Sequence, residues 1–533
     1  MNNGVYAMMA LMQAEPGKTL SELLAGLGPQ DFALDLVSEC VVNGLTLDSR
    51  QVRAGDVFLA CAGHQVHGVY FAQQAIAKGA VAVLVEEDES ASKEIDQVSH
   101  SAVVPVISIA QLSNKVGVIA ERFYDHPSKA LTAVGITGTN GKTSCSQFLA
   151  QALSEDKPCG IIGTIGNGLF GQLQTASHTT PDAVSLHGLF KRFLEQGAAS
   201  VVMEVSSHGL IQGRVAGVAF DVAVFTNLSR DHLDYHGDME NYSAAKKLLF
   251  QMPGLRHAVI NADDVFGRQL IKDLPDSLHI VSYGVDAYSD VKATHLVFSP
   301  QGIAFDVLTP WGNGTVHSML LGRFNVSNLL AVLTTLLVLG VPLAKALQRM
   351  QQLATVPGRM ERVGYSGSGP VIVVDYAHTP DAVEKALASL REHFKTQDNT
   401  LDKTQYNKAH TIFCVFGCGG DRDSGKRALM GTMAEAHADN IVITNDNPRT
   451  EDPNRIVNDI VQGITQADRV QVILDRPQAI RWALEHATQN DAVIILGKGH
   501  EQYQIIGKEK RRYAGDCAIA AEIAEEIYKG ASS

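Results

Sequence analysis

Residues 131–144 read Leu-Thr-Ala-Val-Gly-Ile-Thr-Gly-Thr-Asn-Gly-Lys-Thr-Ser. An apolar run enters a turn bracketed by Gly138 and Gly141, and Phe148, Leu149 and Leu153 then recur at helical spacing. Strand, glycine loop and helix in that order can cradle phosphate, because glycines let backbone N–H groups close around its oxygens. Lys142 can reach terminal phosphates, and the Thr143 hydroxyl can ligate Mg²⁺. The candidate ATP-phosphate site is therefore Gly138, Thr139, Asn140, Gly141, Lys142, Thr143 and Ser144. Only Thr139 and Asn140 separate the glycines, a shorter gap than the usual Walker loop has. Two other apolar runs break into polar residues: 201–203 into Glu204-Val-Ser-Ser-His208, and 223–225 into Thr226-Asn-Leu-Ser-Arg-Asp-His-Leu-Asp234. In an open α/β sheet such strand ends converge on the ligand crevice, so Glu204, His208 and His232 belong near the phosphate loop. A carboxylate at 204 suits Mg²⁺, a hard cation with oxygen ligands. Read singly, Glu204 is also an ordinary solvated strand end and His232 the neighbour of a helix cap at Asp231.

The elements that must position these residues form an α/β protein. A chain of 533 residues exceeds one core, and about three domains is the natural division. Over 1–110, apolar runs at 57–60 and 81–85 and a helical stretch at 71–78 suggest a small N-terminal α/β domain. Over 111–358, a helix at 111–123 leads into alternating strands (200–205, 222–226, 258–260, 279–282) and helices (186–196, 243–251). That alternation predicts a mostly parallel, P-loop ATPase-like sheet, with a β-rich insertion at 290–318 and a helix at 325–339. Over 359–533, strand candidates at 371–374, 411–416, 440–444, 470–473 and 492–496 predict a Rossmann-like sheet, with a polar surface loop at 395–410.

Composition narrows the class. A net charge of −13 argues against nucleic acid as a main partner. The seven cysteines are scattered without a CxxC pair, which fits a reducing cytoplasm and neither a disulfide scaffold nor a zinc site. The start of the chain, with Met8, Met9 and Leu11, lacks a basic region and is interrupted by Glu15 and Pro16, so neither a signal peptide nor a membrane span is expected.

The motifs Gly138-Thr-Asn-Gly-Lys-Thr143, Glu204-Val-Ser-Ser-His208, Thr226-Asn-Leu-x-Arg-Asp-His-Leu-Asp234, Phe324-Asn-x-x-Asn-Leu-x-Ala331 and Asp375-Tyr-Ala-His-Thr-Pro380 together resemble the Mur ligase family. These are ATP-dependent amide-bond ligases that build the cell-wall peptide, and the shortened phosphate loop is the family's own form. The resemblance spans all three inferred domains. It implies a monomer whose substrates are a UDP-linked muramoyl dipeptide, an amino acid and ATP. It places the uridine-nucleotide contacts on Leu47, Ser49, His64, Gln65 and Val66, in loops that alone read as surface turns. The muramoyl dipeptide falls to His178, Thr179, Thr180, Ser206, Gln212 and Arg214, where Arg214 can pair with an acidic group. Asn325 and Asn328 would meet the nucleotide base, and Arg359, Asp375 and His378 would approach ATP on domain closure.

The resemblance also implies that Lys246 is carbamylated by CO₂ to N6-carboxylysine and holds a second Mg²⁺ with Glu204 and His232, Thr143 ligating the first. Lys247 is adjacent, and Lys246 is chosen by its distance from Leu248-Leu-Phe250; in isolation either reads as an exposed helix lysine. Catalysis would rest on Lys142, Glu204, His232 and Lys246, and the base for the incoming amine stays open among His208, water and the carbamate. Asp446-Asn-Pro-Arg449 matches the pattern of diaminopimelate-adding members, with Arg422, Gly497 and Glu501 as remaining amino-acid contacts. The physics fits: meso-diaminopimelate is lysine with an extra carboxylate, which Arg449 can bind in a bidentate, charge-assisted pair. Glu501 suits the distal ammonium. Two other readings share these residues: a lysine-adding or folylpolyglutamate synthetase-like ligase, and a P-loop switch that binds nucleotide without ligating anything. Arg449 and the first domain argue against a different ligase. Dependence of phosphate release on both other substrates separates a ligase from a switch.

Overall fold

The computed structural model describes residues 17–27, 39–63, 66–176, 178–394 and 410–529. His64, Gln65 and the expected loop over 395–409 lie outside the described residues. The chain packs as two compact units, Met1–Val281 and Ser282–Ser533.

In the first unit, Gly44–Thr46, Asp56–Ala60, Ala82–Glu86 and Val106–Ile109 form a parallel sheet in chain order. Asp56–Ala60 is buried along its whole length, as a parallel strand covered on both faces must be. The helix Leu112–Phe123 turns Leu112, Val116, Ile119 and Ala120 into the same core, the spacing of one helical face. Within this unit a second sheet includes, in order, Gln172–Gln174, Asn167–Leu169, Cys159–Ile162, Ser200–Glu204, Thr132–Thr137, Val222–Phe225 and His257–Asn261. The five strands from Cys159–Ile162 to His257–Asn261 are parallel, as the alternation predicts. The antiparallel hairpin at its edge was not expected: those strands are short and polar, with Gly168 and Gly171 at positive φ, and carry no apolar alternation. The phosphate-loop strand Thr132–Thr137 lies between Ser200–Glu204 and Val222–Phe225, in register Ile136 to Glu204 and Thr137 to Phe225. The three polar motifs therefore leave the sheet at one edge.

In the second unit, Val291–Ser299, Gly302–Thr309 and Gly312–Ser318 pair antiparallel, the expected β-rich insertion. The helix Arg323–Val338 follows and buries residues on every side. Among the described residues no helix is long and apolar enough to cross a membrane. A six-stranded sheet runs Glu361–Arg362, Val371–Asp375, Ala492–Leu496, Ile412–Phe416, Asn440–Ile443, Val470–Val472, parallel except for its first strand. The strand latest in sequence sits between the first two long ones. This puts the segments after Asp375, Phe416, Ile443 and Leu496 at one edge, where such sheets bind ligands.

Candidate active site

Gly138 and Gly141 have φ of +147° and +86°, conformations open to glycine. A Cβ on Gly138 would lie 1.9 Å from Thr226 Oγ1, so the loop also needs glycine for space. The Thr226 hydroxyl donates to the Asn140 carbonyl (2.6 Å) and Asn227 Oδ1 accepts from the Asn140 N–H (3.0 Å). The Thr139 N–H donates to the Asn227 carbonyl (2.8 Å), and the Ser229 N–H to Thr139 Oγ1 (3.0 Å). The segment 226–229 thus fixes the loop's shape before any ligand arrives. The helix Lys142–Ser154 starts at its end, its dipole and first N–H groups favouring an anion.

Lys142 Nζ donates to the Gly138 carbonyl (2.8 Å), and Lys246 Nζ donates to the same oxygen (2.9 Å). Lys246 is only 2% exposed and lies 4.3 Å from the Tyr242 ring centroid. Burial, and next the charge of Lys142, push the Lys246 ammonium well below the ordinary lysine value. The helix Met239–Lys247 turns Lys246 inward, while Lys247 faces out to Asp273 (2.9 Å). Lys246 is therefore not the exposed helix lysine its isolated sequence suggests.

Glu204 is 1% exposed. Its Oε2 accepts from the Thr143 hydroxyl (2.9 Å) and the Thr164 hydroxyl (3.1 Å), and its Oε1 from the Thr164 N–H (2.9 Å). Gly163 gives it room, since a Cβ there would lie 2.3 Å from Oε1. Glu204 and Thr143 are thus brought together beside the loop. His232 stands in the left-handed region (φ +53°), half exposed, with Nε2 3.5 Å from Asp231 Oδ2. The His208 ring packs 5.0 Å from His232 and 4.2 Å from Tyr235, centroid to centroid. No group of three or more His, Cys, Asp or Glu that could hold a metal occurs among the described residues. One carboxylate and a hydroxyl still fit Mg²⁺, which keeps several waters and takes phosphate oxygens for the rest of its shell.

Other residues singled out in the first unit form two groups. Thr180 Oγ1 donates to the Glu204 carbonyl (2.9 Å), and the Ser206 N–H donates to Thr180 Oγ1 (3.0 Å). Arg214 puts Nε on Gln212 Oε1 (2.9 Å) and Nη1 on the Thr180 carbonyl (2.7 Å), so its fork is held in place by protein groups. Thr179 Oγ1 lies 3.1 Å from Thr164 Oγ1, while His178 is exposed. Nearer the N-terminus, buried Ser49 donates to Gln74 Oε1 (2.8 Å) and Leu47 packs at the margin of the first core. Val66 is 49% exposed and helps line a cavity of about 530 Å³ with Gly63, His67, Tyr70 and Asp88.

In the second unit, Asn325 and Asn328 are buried one helical turn apart. Asn328 Nδ2 donates to Asn325 Oδ1 (2.9 Å), and Asn325 Nδ2 to the Leu321 carbonyl (2.7 Å). The helix is capped by Gly322, not by an asparagine side chain. The Gly322 N–H donates to Nε2 of buried His393 (2.7 Å), whose Nδ1 donates to the Ser299 carbonyl (2.7 Å). Arg359, Asp375 and His378 gather at one strand end. The Arg359 guanidinium lies 5.3 Å from the Tyr376 ring centroid, and the His378 ring 4.7 Å from it. Asp375 accepts from the Met360 N–H (2.7 Å) and Ala377 N–H (2.8 Å), yet burial raises its carboxyl above the usual value.

The segments 446–449 and 497–501 meet beside these. Arg449 has φ of +53° and is clamped by its N–H to the Ile505 carbonyl (3.1 Å) and its carbonyl to the Gly507 N–H (2.7 Å). Its Nη1 donates to the Gly420 carbonyl (2.7 Å), and a Cβ on Gly419 would lie 2.8 Å from that nitrogen. Arg422 is exposed on the loop beyond Gly420. Gly497 (φ +113°) leaves space for Asp446, whose Oδ2 would lie 2.6 Å from an added Cβ; burial raises the Asp446 carboxyl. Asn447 Nδ2 donates to Glu501 Oε2 (3.1 Å), while Pro448 is buried. Sequence reading passed over Lys498, which is 0% exposed and donates to Asn447 Oδ1 (3.1 Å) and Glu501 Oε2 (3.2 Å). A lysine between two glycines directly after a wholly apolar strand was the available signal. It also passed over Arg476 and Asp516, a fully buried bidentate pair (2.8 and 2.7 Å) whose arginine also donates to the Leu496 carbonyl (2.9 Å). That pair anchors the strand end from which Gly497 departs.

The chain matches three family domains: the Mur ligase family catalytic domain over residues 41–124, the Mur ligase middle domain over 136–336, and the Mur ligase glutamate ligase domain over 358–499. It is 48% identical over 499 residues to a Coxiella burnetii protein named UDP-N-acetylmuramoyl-L-alanyl-D-glutamate–2,6-diaminopimelate ligase, covering 92% of this chain and 97% of that one. A Pseudomonas aeruginosa protein of the same name is 46% identical over 470 residues, covering 88% and 92%. A solved structure titled with that name superposes with a TM-score of 0.72 at 34% identity, covering 96% of this chain and 99% of the other. The chain belongs to the Mur ligase family. Its three-domain α/β fold is that family's fold, and it is an ATP-dependent acid–amino-acid ligase by membership.

Proposed function

We propose that this ligase joins meso-diaminopimelate to UDP-N-acetylmuramoyl-L-alanyl-D-glutamate, as the names of its relatives describe, in peptidoglycan precursor synthesis. Residues 1–110 bind the uridine nucleotide, 111–358 ATP, and 359–533 the amino acid. The enzyme works as a cytoplasmic monomer.

ATP lies on the loop 138–143, whose shape is set by hydrogen bonds from 226–229. Lys142 and the helix N-terminus hold its phosphates in line with the D-glutamyl γ-carboxylate. An oxygen of that carboxylate attacks the γ-phosphorus, the bond to the ADP oxygen breaks, and an acyl phosphate forms. The amine of diaminopimelate then attacks the acyl carbon, phosphate leaves, and the nitrogen gives its proton to a base, for which His208, water and the Lys246 carbamate compete. Mg²⁺, when bound, neutralises the phosphate charge. Thr143 would ligate one ion, and Glu204, His232 and a carbamylated Lys246 would hold the second. The suppressed ammonium of Lys246 supports this: a neutral amine can attack CO₂, lose a proton and become an anion. That anion would attract Lys142, where the bare ammonium is repelled by it.

One observation carries the choice of amino acid. Arg449 is pinned at backbone and guanidinium, and Glu501 is fixed through Asn447, so one pocket offers a fixed cation and a fixed anion. Diaminopimelate presents the complementary carboxylate and ammonium on its distal carbon; lysine presents the ammonium alone. Purified enzyme given ATP, the UDP-linked dipeptide, and either amino acid tests this. Phosphate release with diaminopimelate and at most ~1% of that rate with lysine is expected. Equal rates would reject the assignment.

A further inference from the structure

Lys498 is a charged side chain with no exposure, held at the edge of the amino-acid pocket. Its Nζ donates to Asn447 Oδ1 (3.1 Å) and Glu501 Oε2 (3.2 Å), with Asp446 Oδ1 at 3.9 Å. Asn447 Nδ2 donates to the same Glu501 oxygen (3.1 Å), which closes a triangle of lysine, amide and carboxylate. The Ile505 N–H also donates to Asn447 Oδ1 (2.9 Å), so the amide has one orientation. Glu501 Oε2 therefore has two donors. Oε1 accepts from the Tyr503 hydroxyl (3.2 Å) and keeps a lone pair for a ligand. The rings of Tyr503 and Tyr513 lie 5.7 Å from Nζ and wall it from solvent.

A buried ammonium is costly unless matched, and nothing in the packing of a core calls for one here. Its consequences lie in the pocket. Without it, Asp446 and Glu501 would face each other as like charges, and the Glu501 carboxylate would lose one of its three donors, the charged one. We propose that Lys498 is the positioning residue of the amino-acid pocket: it locks Glu501 so that Oε1 meets the distal ammonium of the substrate. It also offsets the acidic charge, so that a substrate bearing two carboxylates is not repelled. The inference rests on the reading of this pocket as the diaminopimelate site.

The test is steady-state kinetics on the full-length enzyme carrying Lys498→Met, Lys498→Gln, Glu501→Gln and the double change Lys498→Met with Glu501→Gln. Both Lys498 variants should raise the KM for diaminopimelate ~10-fold or more, with KM for ATP and for the UDP-linked dipeptide within ~2-fold and kcat within ~3-fold. The double variant should match Glu501→Gln alone within ~2-fold, because Lys498 acts through Glu501. The Lys498→Gln enzyme carries the test if Lys498→Met melts before assay. Unchanged KM for diaminopimelate, an equal loss for all three substrates, or multiplied effects in the double variant would each overturn the proposal. Wild-type enzyme that ignores diaminopimelate would instead overturn the assignment of the pocket.

Discussion

At the phosphate loop, order comes from the main chain: two glycines in positive-φ conformations, carbonyls that anchor Lys142 and Lys246, and a neighbouring segment bonded amide by amide. At the amino-acid pocket, order comes from side chains: Lys498, Asn447 and Glu501 in a triangle, and Arg449 stretched onto a carbonyl. Both lie where parallel strands end. On the proposed function, the difference follows from what each must recognise. A triphosphate is the same in every reaction of this type, and repeated N–H groups bind it whatever the sequence around them. An amino acid must be told from its near relatives, which takes charges at fixed distances.

Breaking the first region should stop chemistry. Lys246→Ala is expected to lower kcat ~10²–10³-fold without rescue by excess bicarbonate, and ¹³C-bicarbonate should give a carbamate NMR signal in the parent enzyme alone. Near-normal turnover would end the carbamate assignment. Breaking the second should change affinity: Arg449→Ala should raise the KM for diaminopimelate ~10²-fold and leave that for ATP within ~2-fold. Equal shifts would put Arg449 in the scaffold instead. Gly138→Ala, which brings a methyl against Thr226, should raise the KM for ATP ~10-fold while amino-acid affinity holds, as measured by nucleotide titration.

The smallest expected effect sharpens how the pocket's rim is held. Arg427 is 1% exposed and bonds both oxygens of Glu451 (2.7 Å each). That contact holds the Glu451 carboxyl down to about 2. A carboxyl lowered on folding stabilises above its unfolded value, ~4.3, and the gain fades as pH falls toward the folded one. Glu451→Gln should therefore lower stability by ~1–3 kcal/mol at pH 7, and the gap in melting temperature should close between about pH 4.5 and 2. A gap independent of pH would assign the loss to packing.

Much of this was legible in the sequence because parallel strands are continuous apolar runs and their ends are abrupt: Glu204, Thr226, Asp375 and Gly497 each follow directly on one. The phosphate loop announced itself through glycine and lysine spacing. What the residues alone did not show, the burial of Lys246 included, depends on contacts distant in sequence. Lys246 lies one helical turn from Tyr242, but only the approach of Gly138, 108 residues away, makes it a buried amine. Lys498 reads as a turn lysine until Asn447, 51 residues away, is beside it. The hairpin at Asn167–Gln174 escaped because glycine and polar residues pair there through the main chain alone.

On the proposed function, fixed charges at Arg449 and Glu501 set which amino acid is joined. The direct measurement is phosphate release by the purified enzyme with ATP and UDP-N-acetylmuramoyl-L-alanyl-D-glutamate, with meso-diaminopimelate or lysine offered in turn to the parent enzyme and to Arg449→Ala. Strong discrimination in the parent, largely lost in the variant through a fall in diaminopimelate kcat/KM, is the predicted result. Discrimination that survives the loss of Arg449 would contradict it.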